Sequence, residues 1–320
     1  MPTILITGGA GYIGSHVAKE LIRQGYQCVI YDNLQTGHRR AVRDALLIEG
    51  DLADQEKMGR TFQSYPIESV IHFAADCLVG ESMEDPLKYF RNNVKRMVFS
   101  SSAAVYGEAK EIPIPEEHPC HPTNPYGETK WVFERVLRAF REMGKLNYVS
   151  LRYFNVAGAD PEGDLGEDHS PESHLIPLGI RGALTGIPIS IYGTDYDTPD
   201  GTCIRDYIHV ADLASAHLLA LQSLEGGGDS GVYNMGNGNG YSVREVIETI
   251  KRVTGKEITT INSKRRPGDL ARLVASAEKI RKELGWRPKY SGLDTIVATA
   301  WQWHQSHPNG YGDRRIGHSA

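Results

Sequence analysis

Short apolar runs rich in β-branched residues alternate along this chain with longer segments in which apolar residues recur every three to four positions. The first pattern is typical of buried strands, and the second is typical of amphipathic helices. Strands are predicted at residues 3–7, 27–31, 45–52, 69–75, 95–102 and 148–155, and helices at 16–23, 86–93 and 130–143. The alternation predicts an α/β fold with a Rossmann-type, doubly wound parallel sheet.

The pattern changes after residue 156. Residues 157–172 are rich in Gly, Asp and Pro, which indicates a change of domain. Beyond them we predict helices at 178–185, 212–221 and 243–254 and strands at 189–192, 203–210 and 232–236. We expect residues 1–155 to form one domain, to which 206–236 return. Residues 156–205 and 237–320 are expected to form a smaller C-terminal α/β domain.

Three glycines, Gly8, Gly11 and Gly14, follow the first predicted strand at intervals of three residues. Strand, glycine turn, helix and a second strand ending in Asp32 form the layout of a dinucleotide-binding βαβ unit. Gly8 permits the tight turn, Gly11 lets a pyrophosphate approach the backbone, and Gly14 lets the helix pack closely on the strand. Asp32 is placed to accept hydrogen bonds from an adenosine ribose and would repel a 2′-phosphate. The sequence therefore predicts NAD in preference to NADP.

The ends of the next predicted strands are expected to line the same cofactor. Asp51 and Leu52 follow the third strand and would flank the adenine, whereas the small residues that end the fourth strand would lie near the pyrophosphate. His72 lies inside the fourth strand. We interpret it as a packed core residue and not as a catalyst.

Candidate chemistry is concentrated where the strand at 95–102 ends in serines and a polar loop leads to Tyr126 and Lys130. Side chains four residues apart share a helix face, so the lysine can stabilise a tyrosinate. A hydroxyl at Ser102, delivered from a strand end, completes a set that can remove or deliver a proton at a sugar or alcohol oxygen. Tyr-x-x-x-Lys is common by chance, so the pattern alone leaves an ordinary surface helix open.

Composition and charge exclude several classes of function. The chain has 320 residues and a formal net charge of −5, and its basic residues are scattered, so neither a nucleic-acid footprint nor a membrane-binding patch is predicted. The four cysteines form no Cys-x-x-Cys pair, and no metal site is predicted. We interpret them as reduced thiols of a cytoplasmic protein. No basic leader and no apolar run of about 18 residues is present.

Five stretches, at residues 7–14, 99–107, 124–130, 152–155 and 205–210, are more specific together than any single motif. In content and order they resemble the motif series of the UDP-glucose 4-epimerases, a family of the extended short-chain dehydrogenase/reductases. The match extends over nearly the whole chain and includes residues 195–202.

The resemblance implies an isomerase of galactose metabolism that interconverts UDP-galactose and UDP-glucose. Tyr126, ionised with help from Lys130 and the positive charge of the nicotinamide, would take the proton from the 4-hydroxyl while hydride leaves carbon 4 for NAD. Ser102 would hydrogen-bond the reacting oxygen. The 4-keto sugar would turn over and receive the hydride on its other face, so NAD would act as a retained prosthetic group. Carbon 4 is not acidic, which is why its inversion needs a redox cofactor.

The resemblance also implies two sets of binding residues, with NAD held mainly by the first domain and the UDP-sugar by the second. The residues implied for NAD are Gly8, Gly11, Tyr12, Ile13, Gly14, Asp32, Asn33, Asp51, Leu52, Phe73, Ala74, Ala75, Asn93, Ser100, Tyr126, Lys130 and Tyr153. The residues implied for the UDP-sugar are Ser102, Tyr126, Phe154, Asn155, His174, Leu175, Tyr192, Arg205, Tyr207, Arg266 and Asp269.

Three features depart from the pattern of the family. The family carries a further helix of about 15 to 20 residues between the positions that match Val94 and Lys95, and parallel strands normally need a crossover of about a dozen residues or more. The short connection puts in question both the sheet and the homodimer that the family forms through helices in this region. Some relatives have Lys at the position of Cys77. Leu273, at the position that limits bulk at the sugar's C2 group, leaves the acceptance of N-acetylated sugars open.

Other functions remain as alternatives. Epimerisation of a UDP-N-acetylhexosamine, UDP-glucuronate or a UDP-pentose shares the same chemistry at carbon 4. A dehydratase or decarboxylase needs an acid or base just after Ser102, and the sequence Ala103-Ala104-Val105 argues against both. A catalytically impaired NAD-binding relative is the alternative if the junction of Val94 and Lys95 is genuine, although such proteins often lose the tyrosine and lysine that are retained here.

Overall fold

The computed structural model describes residues 2–73, 94–266 and 268–313. Strands and helices alternate along most of this length, as the sequence predicts. In chain order they are β1 (Thr3–Thr7), α1 (Tyr12–Arg23), β2 (Gln27–Asp32), β3 (Leu46–Glu49), α2 (Gln55–Ser64), β4 (Ile67–His72), β5 (Arg96–Ser102), α3 (Pro125–Glu142), β6 (Asn147–Tyr153), β7 (Asn155–Ala157), α4 (Leu175–Thr185), β8 (Ile189–Tyr192), β9 (Ile204–His209), α5 (Val210–Glu225), β10 (Gly231–Met235), β11 (Gly240–Ser242), α6 (Val243–Thr254), β12 (Thr260–Ser263), β13 (Arg272–Leu273), α7 (Glu278–Glu283) and α8 (Leu293–Ser306).

The larger sheet has seven parallel strands in the order β10-β6-β5-β4-β1-β2-β3. Alternate residues of its strands enter two separate apolar clusters, so that Ile4 and Ile6 face one side and Leu5 the other. α1 and α5 cover the first side, and α2 and α3 cover the second. Burial of each Leu, Ile, Val or Phe side chain stabilises the folded state by about 1.5–3 kcal/mol. This arrangement confirms the predicted doubly wound α/β fold.

The short connection before β5 leaves the sheet intact. β4 and β5 are neighbours in register from Ser69 opposite Arg96 to His72 opposite Phe99. Just before β5, the Lys95 amide donates to the carbonyl oxygen of Glu68 at 3.1 Å, and the Lys95 carbonyl accepts from Asn147 at 3.0 Å. The expectation that the short connection disturbs the sheet is therefore wrong. The helix predicted at residues 86–93 lies outside the described residues.

A smaller mixed sheet follows, in which β9 pairs with β7 and β13 in parallel and with β11 in antiparallel. β8 and β12 form a separate parallel pair. α4, α6 and α8 enclose an apolar cluster with this part of the chain. Residues 206–209 thus join the smaller sheet through β9, whereas β10 forms an edge of the larger sheet. None of the helices in the described ranges is long and apolar enough to cross a membrane.

Candidate active site

The carboxyl ends of parallel strands β1 to β6 meet at one edge of the larger sheet, where open α/β sheets bind their ligands. The turn between β1 and α1 is tight. Gly8 has a φ of 72°, and a Cβ on Gly14 would lie 2.4 Å from the Gly8 carbonyl oxygen. Gly14 therefore has to be glycine for α1 to approach β1 this closely. Within the described part of the chain, no side chain caps the N-terminus of α1, where amide groups suit a pyrophosphate.

Asp32 lies at the end of β2 beside this turn. One of its carboxylate oxygens accepts from the amide of Ala10 at 2.9 Å and the other from the amide of Leu34 at 2.8 Å. Burial raises the pKa of Asp32, and these hydrogen bonds offset part of the increase. The bonds fix the carboxylate next to the glycine turn. A turn of bare backbone beside an oriented carboxylate fits the pyrophosphate and ribose of a dinucleotide.

Other residues of the cofactor set lie at the same edge. Asn33 donates to the Asp51 carboxylate at 3.0 Å, and the amide of Phe73 donates to the carbonyl oxygen of Thr7 at 2.9 Å. The Tyr153 hydroxyl lies 2.5 Å from Nε2 of His217. The described residues place Leu52 after β3 and Ser100 in β5, and Ile13 packs against the core. Ala74, Ala75 and Asn93 lie outside them.

Tyr12 and His72 make contacts that the sequence did not specify. The Tyr12 hydroxyl donates to the carbonyl oxygen of Gly158 at 2.7 Å, which ties the start of α1 to the segment after β7. His72 is buried, with Nδ1 2.6 Å from the hydroxyl of Thr7 and its ring stacked on Phe133. These contacts confirm the interpretation of His72 as a packed core residue.

Ser102, Tyr126 and Lys130 come together where β5 ends and α3 begins. Asn124 caps α3 by accepting from the amide of Gly127 at 2.8 Å, and Pro125 occupies the first turn. Ser102 lies close enough to Tyr126 for its hydroxyl to lower the pKa of the Tyr126 phenol. Lys130 is only 5% exposed, and its Nζ donates to the carbonyl oxygen of Ser100 at 2.9 Å.

A close backbone contact fixes α3 against the end of β5. A Cβ on Gly127 would lie 2.4 Å from the carbonyl oxygen of Ala104, in the turn that follows Ser102. Glycine at this position lets the helix start directly against that turn. The neighbouring Tyr126 is thereby held within reach of Ser102.

The ionisation of Tyr126 depends on more than Lys130. Tyr126 is 48% exposed; its partial desolvation raises the pKa of the phenol, and the nearby Ser102 hydroxyl lowers it in part. The ammonium of Lys130 lies 5.6 Å from the centroid of the tyrosine ring, and it is bonded to the Ser100 carbonyl. The chain's own groups therefore place the hydroxyl for proton transfer without making it strongly acidic.

A buried polar network behind this group was not predicted from the sequence. The Arg152 guanidinium binds both carboxylate oxygens of Glu134 at 3.0 and 2.6 Å and donates to the Tyr106 hydroxyl at 2.8 Å. Ser101 donates to Glu134 at 2.5 Å, and the Tyr106 hydroxyl donates to Asn234 at 2.7 Å. Burial alone would lower the pKa of Arg152, but the bonds to Glu134 raise it. Glu134 lies four residues after Lys130 and shares its helix face, but no spacing in the sequence indicates its pairing with Arg152.

The expected substrate residues form two groups. Arg205 Nη2 lies 3.2 Å from the carboxylate of Asp269, and Nη1 donates to the carbonyl oxygen of Leu270 at 2.8 Å. The guanidinium of Arg266 lies over the ring of Tyr192, 4.0 Å from its centroid. The structure thus brings Arg205 to Asp269 and Arg266 to Tyr192.

The remaining expected substrate residues lie after β6, in β7 and β9, and at the start of α4. Phe154 follows β6 and packs in an apolar cluster that also contains Leu273. Asn155 in β7 pairs with Tyr207 in β9, and the Tyr207 side chain is buried in the core of the smaller part. Leu175 is the first residue of α4.

His174 immediately precedes α4 and belongs to a cluster that the sequence analysis missed. It contains Glu167, His169, Glu172 and His174, whose ligand atoms all lie within 4.8 Å of one another. Burial by itself would raise the pKa of Glu167, but hydrogen bonds from His169 and His174 lower it to about 2. The spacing Glu-x-His-x-x-Glu-x-His could have revealed this group.

Comparisons with known proteins agree with this geometry. Residues 4–236 match the model of the NAD dependent epimerase/dehydratase family. The chain is 52% identical to the UDP-glucose 4-epimerase of Halalkalibacterium halodurans over 324 residues, which cover 96% of this chain and 97% of the relative. A solved UDP-glucose 4-epimerase superimposes with a TM-score of 0.89 at 50% identity, covering 97% of this chain and 99% of that one. The Bifidobacterium longum UDP-glucose 4-epimerase, solved in complex with NAD+ and UDP, superimposes with a TM-score of 0.87 at 39% identity, with 96% and 99% covered.

The comparison also bears on the length of the chain. The alignment with the H. halodurans protein extends over 324 residues, whereas 96% of the 320 residues of this chain is about 307. About 17 positions, the difference between 324 and 307, therefore have no counterpart in this chain. A deficit of this size fits the short connection noted at Val94 and Lys95.

Proposed function

This chain belongs to the NAD-dependent epimerase/dehydratase family, and on that premise we propose that it interconverts UDP-galactose and UDP-glucose by inverting carbon 4 of the hexose. The observation that carries the proposal is that Ser102, Tyr126 and the buried Lys130 meet where β5 ends and α3 begins. This group lies at the same sheet edge as the dinucleotide-binding turn. A sugar hydroxyl can therefore be handled beside a redox cofactor.

NAD is the cofactor. The turn from Gly8 to Gly14 and the N-terminus of α1 hold the pyrophosphate, and the Asp32 carboxylate accepts hydrogen bonds from the adenosine ribose. The predicted NAD contacts at the ends of β3 to β6 complete the site. When bound, NAD supplies a hydride acceptor for carbon 4 and a donor for its opposite face.

Tyr126 and Ser102 perform the proton transfer. Tyr126 removes the proton from the sugar's 4-hydroxyl during oxidation and returns it during reduction. Ser102 hydrogen-bonds the same oxygen and keeps Tyr126 oriented. Lys130, fixed to the Ser100 carbonyl, favours the ionised form of Tyr126 through its positive charge.

The UDP part of the substrate is held by the smaller part of the chain. Arg205 and Arg266 supply guanidinium groups, which bind phosphate oxygens bidentately. Tyr192 stacks beside the uracil, with Arg266 against its ring. In addition we propose contacts from Asn155, His174, Leu175 and the other predicted substrate residues. We also propose a division into an NAD-binding domain (1–155 and 206–236) and a UDP-sugar-binding domain (156–205 and 237–320), with residues 206–209 as the exception because β9 pairs within the smaller sheet.

Incubating the purified chain with UDP-galactose, without added NAD, tests the function directly. We expect UDP-glucose to form, and we expect NAD to be released when the purified protein is denatured. Failure to form UDP-glucose, together with no bound NAD after purification, would contradict the proposal. Formation of UDP-glucose only after NAD is added would support the reaction but contradict retention of the cofactor.

Substrate range, assembly and location belong to the same proposal. Leu273 packs beside Phe154 in the cluster next to the Ser102 turn, so a parallel assay with UDP-N-acetylgalactosamine tests the space near the sugar's C2 group. A homodimer is expected from the family, and light scattering of the purified chain tests it. A cytoplasmic location is supported by Cys28, Cys120 and Cys203, which are free thiols, because the cytosol keeps thiols reduced.

A further inference from the structure

Four ligand atoms of metal-binding type converge in the segment that leads into α4. Oε1 of Glu167 lies 3.2 Å from Nδ1 of His169, and it also contacts Nδ1 of His174. Nδ1 of His169 lies 4.0 Å from Oε2 of Glu172. Four ligands about 2.0–2.2 Å from a tetrahedral Zn²⁺ lie about 3.4 Å from each other. The observed separations bracket this value, so the side chains need only small rotations to share one ion.

The surroundings already orient these groups. Oε1 of Glu172 accepts from the backbone amides of Ser173 and His174 at 2.7 and 2.8 Å, which leaves Oε2 on the side of His169. The His169 ring packs edge-on against His174, with centroids 5.4 Å apart, and edge-on against Tyr12. Fixed outer contacts of this kind hold metal ligands in their binding orientation.

Charge and access also favour a cation. The Glu167 side chain is 3% exposed, and the imidazoles of His169 and His174 supply the partners that its buried charge needs. A divalent ion balances both carboxylates and leaves the two imidazoles neutral, which is the form in which histidine binds metals. The side chains of His169 and His174 are 31% and 53% exposed, so an ion can reach the site from solvent.

We propose that Glu167, His169, Glu172 and His174 bind a divalent transition-metal ion, with Zn²⁺ as the best match to two imidazole nitrogens and two carboxylate oxygens. The ion is structural. It joins the segment before α4 into one unit beside Tyr12, which belongs to the dinucleotide-binding turn. His174 is also among the proposed UDP-sugar contacts, but Glu167, His169 and Glu172 are not, so metal binding and epimerase activity can fail separately.

A second acidic group in the same part of the chain serves as a contrast. Asp160, Glu162 and Asp164 also bring three carboxylates together. The ammonium of Lys19 lies among them, at 2.6, 2.9 and 3.0 Å. A protein cation therefore already occupies the position that a metal would take, and we expect no metal to bind there.

Titration of the full, chelator-treated chain with Zn²⁺ tests the proposal, using a chromogenic chelator as the competitor. We expect one ion per chain. The variants His169→Ala and Glu167→Gln should each lower the affinity at least tenfold, since the first removes a ligand and the second removes the negative charge of a ligand. Glu162→Gln, in the contrasting acidic group, should bind Zn²⁺ like the unaltered chain.

Two results would overturn the proposal: no stoichiometric binding by the unaltered chain, or equal binding by the unaltered chain and both ligand variants. The second result would place the ion elsewhere, for example on cysteines. If the variants do not fold, X-ray absorption of the zinc-loaded unaltered chain decides. We expect two imidazoles and only nitrogen or oxygen neighbours around the ion, and sulfur neighbours would contradict the assignment.

Discussion

Lys130 Nζ donates a hydrogen bond of 2.9 Å to the carbonyl oxygen of Ser100, so the first turns of α3 are fixed to the end of β5. Ser102 lies two residues further along that strand, close to Tyr126 in the first turn of the same helix. The three proposed catalytic side chains therefore belong to one rigid junction. A substitution at any of them changes the geometry or the charge that the other two meet.

Replacing Tyr126 with Phe should lower turnover of UDP-galactose by about 10²–10⁴-fold, the usual contribution of a positioned acid–base group. The ring and its packing are retained, so bound NAD should remain at the level of the unaltered chain. Steady-state assays and release of NAD on denaturation measure the two quantities. Tyr65→Phe, just after α2, is the matched control. Turnover unchanged by Tyr126→Phe would remove Tyr126 from its assigned role.

Replacing Ser102 with Ala should move the pH dependence of turnover to higher pH. The nearby Ser102 hydroxyl lowers the pKa of Tyr126, so its removal raises that pKa further. Proton removal needs ionised Tyr126, and a smaller fraction is ionised at any given pH. We expect turnover to fall about tenfold or more near neutral pH. The difference in turnover between Ser102→Ala and the unaltered chain should shrink as the pH rises.

The profile of kcat against pH, measured for both chains, checks this expectation. Ser150→Ala removes a buried hydroxyl from the neighbouring strand β6, outside the proposed site, and should leave the profile unchanged. A parallel fall at every pH in Ser102→Ala would mean that Ser102 only positions the substrate.

The sequence predicted the larger sheet well because its buried strands are short apolar runs that can be recognised locally. It missed α2, since only Met58 and Thr61 of that polar helix are buried. It started α4 after Pro177, although the helix begins at Leu175. Proline is tolerated in the first turn of a helix, so it did not mark the boundary there.

The residues of the candidate site also divide into those that the sequence predicts and those that it does not. Asp32, Ser102, Tyr126 and Lys130 are recognisable because strand ends and helix spacing place them. The bond between Glu134 and Arg152 joins a helix to a strand, and neither local pattern specifies that pairing. The cluster around Glu167 contains no cysteine, so none of the cysteine-based metal motifs marks it in the sequence.

Replacing Asp32 with Asn should weaken NAD binding about tenfold or more, because a charged acceptor for the ribose hydroxyls is lost. Preference for NAD over NADP should also shrink, since the charge that repels a 2′-phosphate is removed. Calorimetric titration of the cofactor-free chain with both dinucleotides measures the two effects. Asp197→Asn, at an exposed position, is the control. Equal affinities of Asp32→Asn and the unaltered chain for NAD would exclude a ribose contact.

Replacing Glu134 with Gln should destabilise the fold by about 3–5 kcal/mol, because it leaves the buried guanidinium of Arg152 without its charge partner. Replacing both residues with apolar ones, Glu134→Leu and Arg152→Met, should cost less than the sum of the single changes. Urea unfolding of Glu134→Gln, of the two single apolar variants and of the double variant measures these costs. Glu56→Gln breaks the exposed pair with Arg60, and should cost only about 0.3–0.5 kcal/mol. Additive costs in the double variant would show that the two buried charges do not stabilise each other.

Replacing Arg266 with Leu should raise the KM for UDP-galactose by about 10–100-fold, because a charged hydrogen bond to phosphate contributes about 1.5–3 kcal/mol. The change lies away from Ser102 and Tyr126, so kcat should fall much less.

The preceding residue is a close control. Arg265 also lies over a tyrosine ring, that of Tyr196, but its side chain is paired with Asp195 on the surface. Arg265→Leu should leave KM within about twofold, since surface pairs of this kind contribute little. Equal effects of the two substitutions on KM would mean that Arg266 acts only through the general positive charge of this loop.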